Sequence, residues 1–332
     1  MGPREPQEWV APDWVRLPDF IICGAMKCGT STLHSILESH PDVFIPDGEI
    51  NFFDIDDLLQ HPDFAFHSRE GWRWPDLLEA PEEYWSWYRS FFDSAPAGAI
   101  LGEDSACYLP SPRAACRISM QPKTIRTIIC LRHPTRRAYS QYWHMLRNGR
   151  AMFSFEDTIR YTPHYVLQRS MYRDQIRAFM RHIPRERVFF FVLEEFLGDP
   201  RGVAGRLADY LGLAPDGFFE DALRTHANPG RIPRSVGLQT LKNRVFRSLG
   251  NNRYAGRLPL RDDFGSRVPL LCRLFDRAFR VLNPLGRRPK PKMAPDTRRF
   301  LDDFFRREMR GLDQLVGREV ESLWFEEHSD RK

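Results

Sequence analysis

No stretch of the 332-residue chain approaches the roughly 20 consecutive apolar residues that a membrane-spanning helix needs. The opening MGPREPQEWVAPDW lacks the apolar core of a secretory leader. Cysteine is sparse: six residues, at 23, 28, 107, 116, 130 and 272, with no paired spacing, which argues against a disulfide framework or a zinc site. Cys23 and Cys130 fall in or beside apolar runs, where a free thiol acts as a small hydrophobe. A reducing, cytoplasmic setting is the expectation. There is no internal repeat, no low-complexity tract and no recognised nucleic-acid-binding motif. What remains, 42% hydrophobic and 28% charged residues, is ordinary globular composition. The length suits one large domain, over residues 18–332, preceded by an extension over 1–17.

The net charge of +5 is unevenly spread. Residues 240–292 hold fourteen Lys and Arg against Asp262, Asp263 and Asp276, a local charge of +11 that leaves −6 for the rest. Such a segment serves an anionic partner or forms a solvated face. Residues 60–97 hold Trp72, Trp74, Trp85 and Trp87 with Tyr84, Tyr88, Phe91 and Phe92; these aromatics pack irregular segments or rim a ligand. This stretch and 228–294 are expected to be loop-rich insertions.

Three apolar runs read as buried strands: PDFIICGA (18–25), TIRTIICLR (124–132) and RVFFFVLEEF (187–196). Helical patterns follow or precede them, from Pro134 to Leu146 with Asn148-Gly149 as the stop, near 170–182, and over 200–211. Strands alternating with helices predict an α/β fold, a P-loop-like parallel β-sheet with helices on both faces. Near the C-terminus Phe300, Phe304, Met309, Leu312 and Leu315 follow an approximately helical period and read as core.

Directly after the first run comes CGAMKCGTST (23–32). Gly24 and Gly29 are spaced as in the phosphate loop G-x-x-x-x-G, but no G-K-[ST] follows; the lysine stands mid-loop, at Lys27. Thr30-Ser31-Thr32 are placed to cap a helix with apolar face Leu33, Ile36 and Leu37, ended by His40-Pro41. Loop amides and a helix N-terminus favour an oxyanion, phosphate or sulfate. In DGEINFFD (47–54), Glu49 lies between a turn and apolar Ile50, Phe52 and Phe53. That setting raises a carboxyl pKa and suits a general base, although an acid beside a turn is more often only solvated. In LRHPTRRAYSQYWHM (131–145), Arg132 ends a strand and Ser140 lies two turns into the next helix. At the carboxyl end of a parallel strand the pair is placed to grip a second phosphate; taken alone, a salt bridge and a surface serine fit equally well.

CGAMKCGTSTL, HPDVFIPDGEINFF and CLRHPTRRAYSQY, in that order, resemble the sulfotransferase family that uses 3′-phosphoadenosine 5′-phosphosulfate (PAPS). The resemblance is nearest to its carbohydrate (heparan sulfate-like) branch and related bacterial sulfotransferases. GEDSACYLPSP (102–112), RVFFFVLEEF and ANPGRIPRS (227–235) support it more loosely. The resemblance implies PAPS as sulfuryl donor and 3′,5′-ADP as product. Gly24, Ala25, Lys27, Cys28, Gly29, Thr30, Ser31 and Thr32 would surround the 5′-phosphosulfate, with Lys27 at the bridging oxygen. Arg132 and Ser140 would hold the 3′-phosphate, Glu49 would be the base, and Arg231 and Arg234 would close over the nucleotide. The acceptor would be a hydroxyl-bearing molecule, with an acidic glycan among the candidates; no metal and no nucleic acid are expected. Three positions depart from the family pattern: Asn51 for His, Asp104 for Lys and His133 for Asp. A P-loop kinase or nucleotidase and a non-catalytic anion-binding module are the rival readings.

Overall fold

Phe20–Gly24 (β1) forms the middle of the molecule because nothing in it needs water: all five residues are buried, and Phe20, Ile21 and Ile22 have no exposed surface. The computed structural model describes residues 5–68, 71–224, 230–246, 258–259, 270–286 and 288–325. Arg247, Arg253, Arg257, Arg261, Arg267 and Arg287 of the basic segment, and Ala227, Asn228 and Pro229, lie outside the described residues.

The main sheet adds Val43–Phe44 (β2), Ile100–Asp104 (β3), Arg126–Leu131 (β4) and Val188–Val192 (β5), in the order β2-β3-β1-β4-β5. Every pairing is parallel. Register sets Ile22 opposite Asp104 on one side and Ile128 on the other, and Leu131 opposite Val192. The carboxyl ends of β1, β3 and β4 therefore deliver Gly24, Asp104 and Arg132 to one edge, where open parallel sheets bind ligands.

The helices that position the site are Thr30–Glu38 (α1), Pro81–Ser90 (α2), Pro112–Ser119 (α3) and Pro134–Arg147 (α4). α2 lies within a stretch expected to be loop; it buries Tyr84, Trp85 and Tyr88. Phe52 packs on Trp85 and Tyr88, with centroids 4.6 and 4.4 Å apart, so these rings are core. Trp72 and Trp74 are exposed. After β5 the chain turns at once into the helix Leu193–Gly198, so LEEF leaves the sheet. Pro200–Leu211 is helical as expected, while the 170–182 helix is shorter, Tyr172–Phe179. Of the C-terminal stripe, Met309 and Leu312 are buried as expected, whereas the helix Pro295–Glu308 turns Leu301 and Phe305 inward and leaves Phe300 exposed, and the separate helix Leu312–Val316 buries Val316 in place of Leu315.

Residues 5–17 pack on this body through Trp9, which is 1% exposed. Its ring lies 5.7 Å from Phe52, and the Arg117 guanidinium sits 3.4 Å above it. Arg117, from α3, also donates to Glu5, to both oxygens of Asp56 and to the Phe53 carbonyl. One buried guanidinium thus ties the N-terminal segment to the 49–57 stretch.

Candidate active site

The loop between β1 and α1 is shaped by its glycines. Gly24 has φ 115°, and a Cβ there would stand 2.4 Å from the Ala106 carbonyl oxygen. Gly29 has φ 94° and is the N-cap of α1. Capping by the hydroxyls of Thr30, Ser31 and Thr32 is not what occurs: these residues are the first turn itself, and no side chain caps the helix. The reason is that Gly29 takes the left-handed conformation that ends the loop, which leaves the first amides of α1 to a ligand. Behind the loop, Ala25 N–H donates to the Cys130 carbonyl at 2.9 Å, and Cys28 Sγ lies 3.3 Å from Tyr172 Oη. Tyr172 donates onward to the Arg132 carbonyl at 2.9 Å.

Lys27 stands at the apex, half-buried, with φ 71°. Arg132 donates to its carbonyl at 3.3 Å. Ser140 lies within α4, and Lys290 Nζ donates to its Oγ at 3.4 Å. Arg147, at the end of α4, and Lys290 were not singled out from the sequence. Both belong to the cluster, and they come to it from opposite ends of a long stretch of chain. Burial pushes Lys27 down to about 8, with Arg147 and Lys290 adding repulsion and Glu49 opposing it. Burial likewise lowers Lys290 to about 8, helped by Arg132 and Arg147. Arg147 is lowered by burial and then by Arg231. Among the described residues none of Lys27, Arg132, Arg147, Arg231 and Lys290 has a carboxylate partner in an ion pair. Mutually repelling cations held at a sheet edge form a site for a multivalent anion. Arg231 is exposed and close enough to act on Arg147. Arg234 is exposed, its N–H committed to the Pro284 carbonyl at 3.1 Å. Its side chain makes no hydrogen bond or ion pair among the described residues.

Glu49 is held on the other side of Lys27. Ile50 N–H donates to the Asp104 carbonyl at 3.2 Å, Asn51 N–H to Ser105 Oγ at 2.9 Å and Phe53 N–H to Tyr108 Oη at 3.0 Å. Ser105 and Tyr108 are fixed in turn by Glu103, which also accepts from Tyr88 at 2.6 Å. The protein mass around Glu49 disfavours its charge and raises its carboxyl to about 7; Asp104 adds to this, while Lys27, His61 and Arg169 oppose it. The side chain still opens onto the cleft, so the full effect belongs to the state in which a ligand has displaced the water.

The three departures from the family pattern have structural roles. Asn51 adopts φ 55° and is buried. Asp104 lies beside Glu49 and accepts from or pairs with His34 Nδ1 at 3.3 Å. His133 is buried, packs against Phe325 at 5.4 Å, and is pushed down to about 4 by burial, so it is neutral near pH 7.

No helix among the described residues is long and apolar enough to cross a membrane. The family model for the Sulfotransferase family matches residues 18–217. Heparan sulfate glucosamine 3-O-sulfotransferase 3B1 of Mus musculus is 30% identical over 206 residues, which is 60% of this chain and 47% of that protein. The Homo sapiens 3B1 protein is 28% identical over 206 residues, with the same coverage. The chain thus spans about half the length of these curated relatives. A sulfotransferase from Alicyclobacillus acidocaldarius, known by crystal structure, aligns over 93% of this chain and 99% of its own with a TM-score of 0.59 and 24% identity; it supports the fold.

Proposed function

The chain belongs to the sulfotransferase family, and from that premise we propose that it moves a sulfuryl group from PAPS to a hydroxyl of a carbohydrate acceptor. The observation that carries this reading is the unpaired cation cluster of Lys27, Arg132, Arg147 and Lys290 around Ser140, beside the uncapped N-terminus of α1. Two separated phosphates need two separated grips. The loop and α1 amides would hold the 5′-phosphate, and Arg132, Ser140 and Lys290 the 3′-phosphate that distinguishes PAPS from ATP.

Sulfuryl transfer, like phosphoryl transfer, passes in line between two oxygens through a loose transition state, so positioning and leaving-group stabilisation dominate. Lys27, in mid-loop, would neutralise charge on the bridging oxygen as 3′,5′-ADP departs. Glu49 would take the proton of the acceptor hydroxyl, worth ~10²–10⁴-fold. Similarity to proteins named as heparan sulfate 3-O-sulfotransferases supports a glycan acceptor. The single-domain organisation over 18–332 is part of the same proposal, because Leu301, Phe305 and Met309 near the C-terminus share one core cluster with β1.

Thermal melting tests the reading. At about 100 times its Kd, 3′,5′-ADP stabilises by about 2.7 kcal/mol, which is several degrees, and ATP with Mg²⁺ falls well short. Stabilisation by ATP with Mg²⁺ equal to or above that by 3′,5′-ADP would overturn the proposal in favour of a kinase-like enzyme. Glu49→Gln retains the 3′,5′-ADP effect and loses transfer from PAPS in an acceptor screen; full turnover in that variant removes Glu49 from its role.

A further inference from the structure

Arg169 is a largely buried cation that the reading above leaves without work. It lies in the turn Gln168–Ser170, and its guanidinium reaches three other segments. Its Nη1 contacts Cys107 Sγ at 3.2 Å and Met26 Sδ at 3.7 Å; its Nη2 donates to the Gln60 carbonyl at 3.2 Å and to Gln60 Oε1 at 3.1 Å. Sulfur is a weak acceptor, so half of this guanidinium faces partners that barely use it. The acids whose charge acts on it are Asp54 and Glu49. Asp54 is already bound to His61 at 2.7 Å, and neither acid forms an ion pair with Arg169.

Taking a guanidinium out of water without a carboxylate partner is costly, and an anion seated beside it offsets that cost. Met26 is the immediate neighbour of Lys27, and Cys107 follows β3 by three residues, on the loop whose Ser105 anchors Asn51. Arg169 is thereby fixed where the donor loop, the base segment and the loop after β3 meet. Position 104 on that strand is an acid and supplies no cation.

Resting on the sulfotransferase reading, we infer that Arg169 contacts the sulfuryl group itself, forming with Lys27 an oxyanion cradle on the acceptor side of the donor loop. In transfer the bond from sulfur to the bridging oxygen breaks, and its electron pair leaves with 3′,5′-ADP. The acceptor oxygen forms the new bond to sulfur, and its proton goes to Glu49. The peripheral sulfuryl oxygens carry no more charge in a loose transition state than before it, so Arg169 aligns the group for in-line attack.

The probe is inorganic sulfate added at millimolar concentration to protein saturated with 3′,5′-ADP, with chloride of equal ionic strength as control and melting temperature as readout. The native protein gains one increment from 3′,5′-ADP and a second from sulfate. Arg169→Gln keeps the first and loses the second, its sulfate affinity falling about tenfold or more as one charge-assisted contact is removed. Arg169→Lys, which keeps the charge but not the fork, retains the first and a reduced second increment; it carries the test if the Gln variant does not fold. A sulfate increment unchanged in either variant overturns the inference, as does equal loss of both increments, which would make Arg169 a donor grip or a structural staple. No 3′,5′-ADP increment in the native protein overturns the underlying reading instead.

Discussion

Lys27 and Glu49 have proton affinities displaced toward each other, the amine down to about 8 and the carboxyl up to about 7. Catalysis as proposed needs the carboxylate and the ammonium together. On the acid side, Glu49 is raised, so its charged form is lost as pH falls through about 7. On the alkaline side, Lys27 is lowered, so its charge is lost as pH rises through about 8. The pH profile of kcat, which reports the ligand-filled site, is therefore expected to be a narrow bell between those limits. Asp104→Asn removes a negative neighbour of Glu49, and the acid limb should move to lower pH while the alkaline limb stays. An acid limb that does not respond would disconnect Asp104 from the base. Glu49 was legible in the sequence through its turn and its aromatic neighbours. Lys290, Arg147 and Arg169 were not: each reaches the cleft from an element whose local pattern reads only as helix, turn or basic surface.

Among the elements, β1, β4 and β5 announce themselves as apolar runs because both their faces are buried. β3 does not. It carries Glu103 next to its last residue, and the hydroxyls of Tyr88, Ser105 and Tyr108 make that burial tolerable. β2, two residues long, leaves no pattern at all. Helix α3 matters through Arg117, which is 2% exposed and holds the segment that carries the base. Arg117→Ala strands Asp56 and Glu5 and empties the space above Trp9. A loss of about 3 kcal/mol is expected, at the lower end for a broken buried pair because Arg113 still faces Asp56 at 3.0 Å. Urea denaturation checks it; a change below half a kilocalorie would mean the clamp is ornamental.

For the whole molecule, charge is distributed with a purpose: a chain of net +5 concentrates unpaired cations at the carboxyl edge of its sheet. Part of that field reaches the cleft through solvent and is open to screening, because the Debye length shortens from about 10 Å at 0.1 M salt to about 3 Å at 1 M. The stabilisation by 3′,5′-ADP should therefore shrink several-fold in apparent affinity across that range. A salt-independent affinity would remove the cluster from donor binding. Gly29, the left-handed residue that opens α1, adds a consequence of another kind. With no side chain to close its first turn, α1 in the free protein begins as an unfinished helix, and the 5′-phosphate would serve as its missing cap. Amide deuterium uptake at Thr30, Ser31 and Thr32 should accordingly be quick in the empty protein and slow once the nucleotide is seated, while β1, one residue stretch away, stays protected in both.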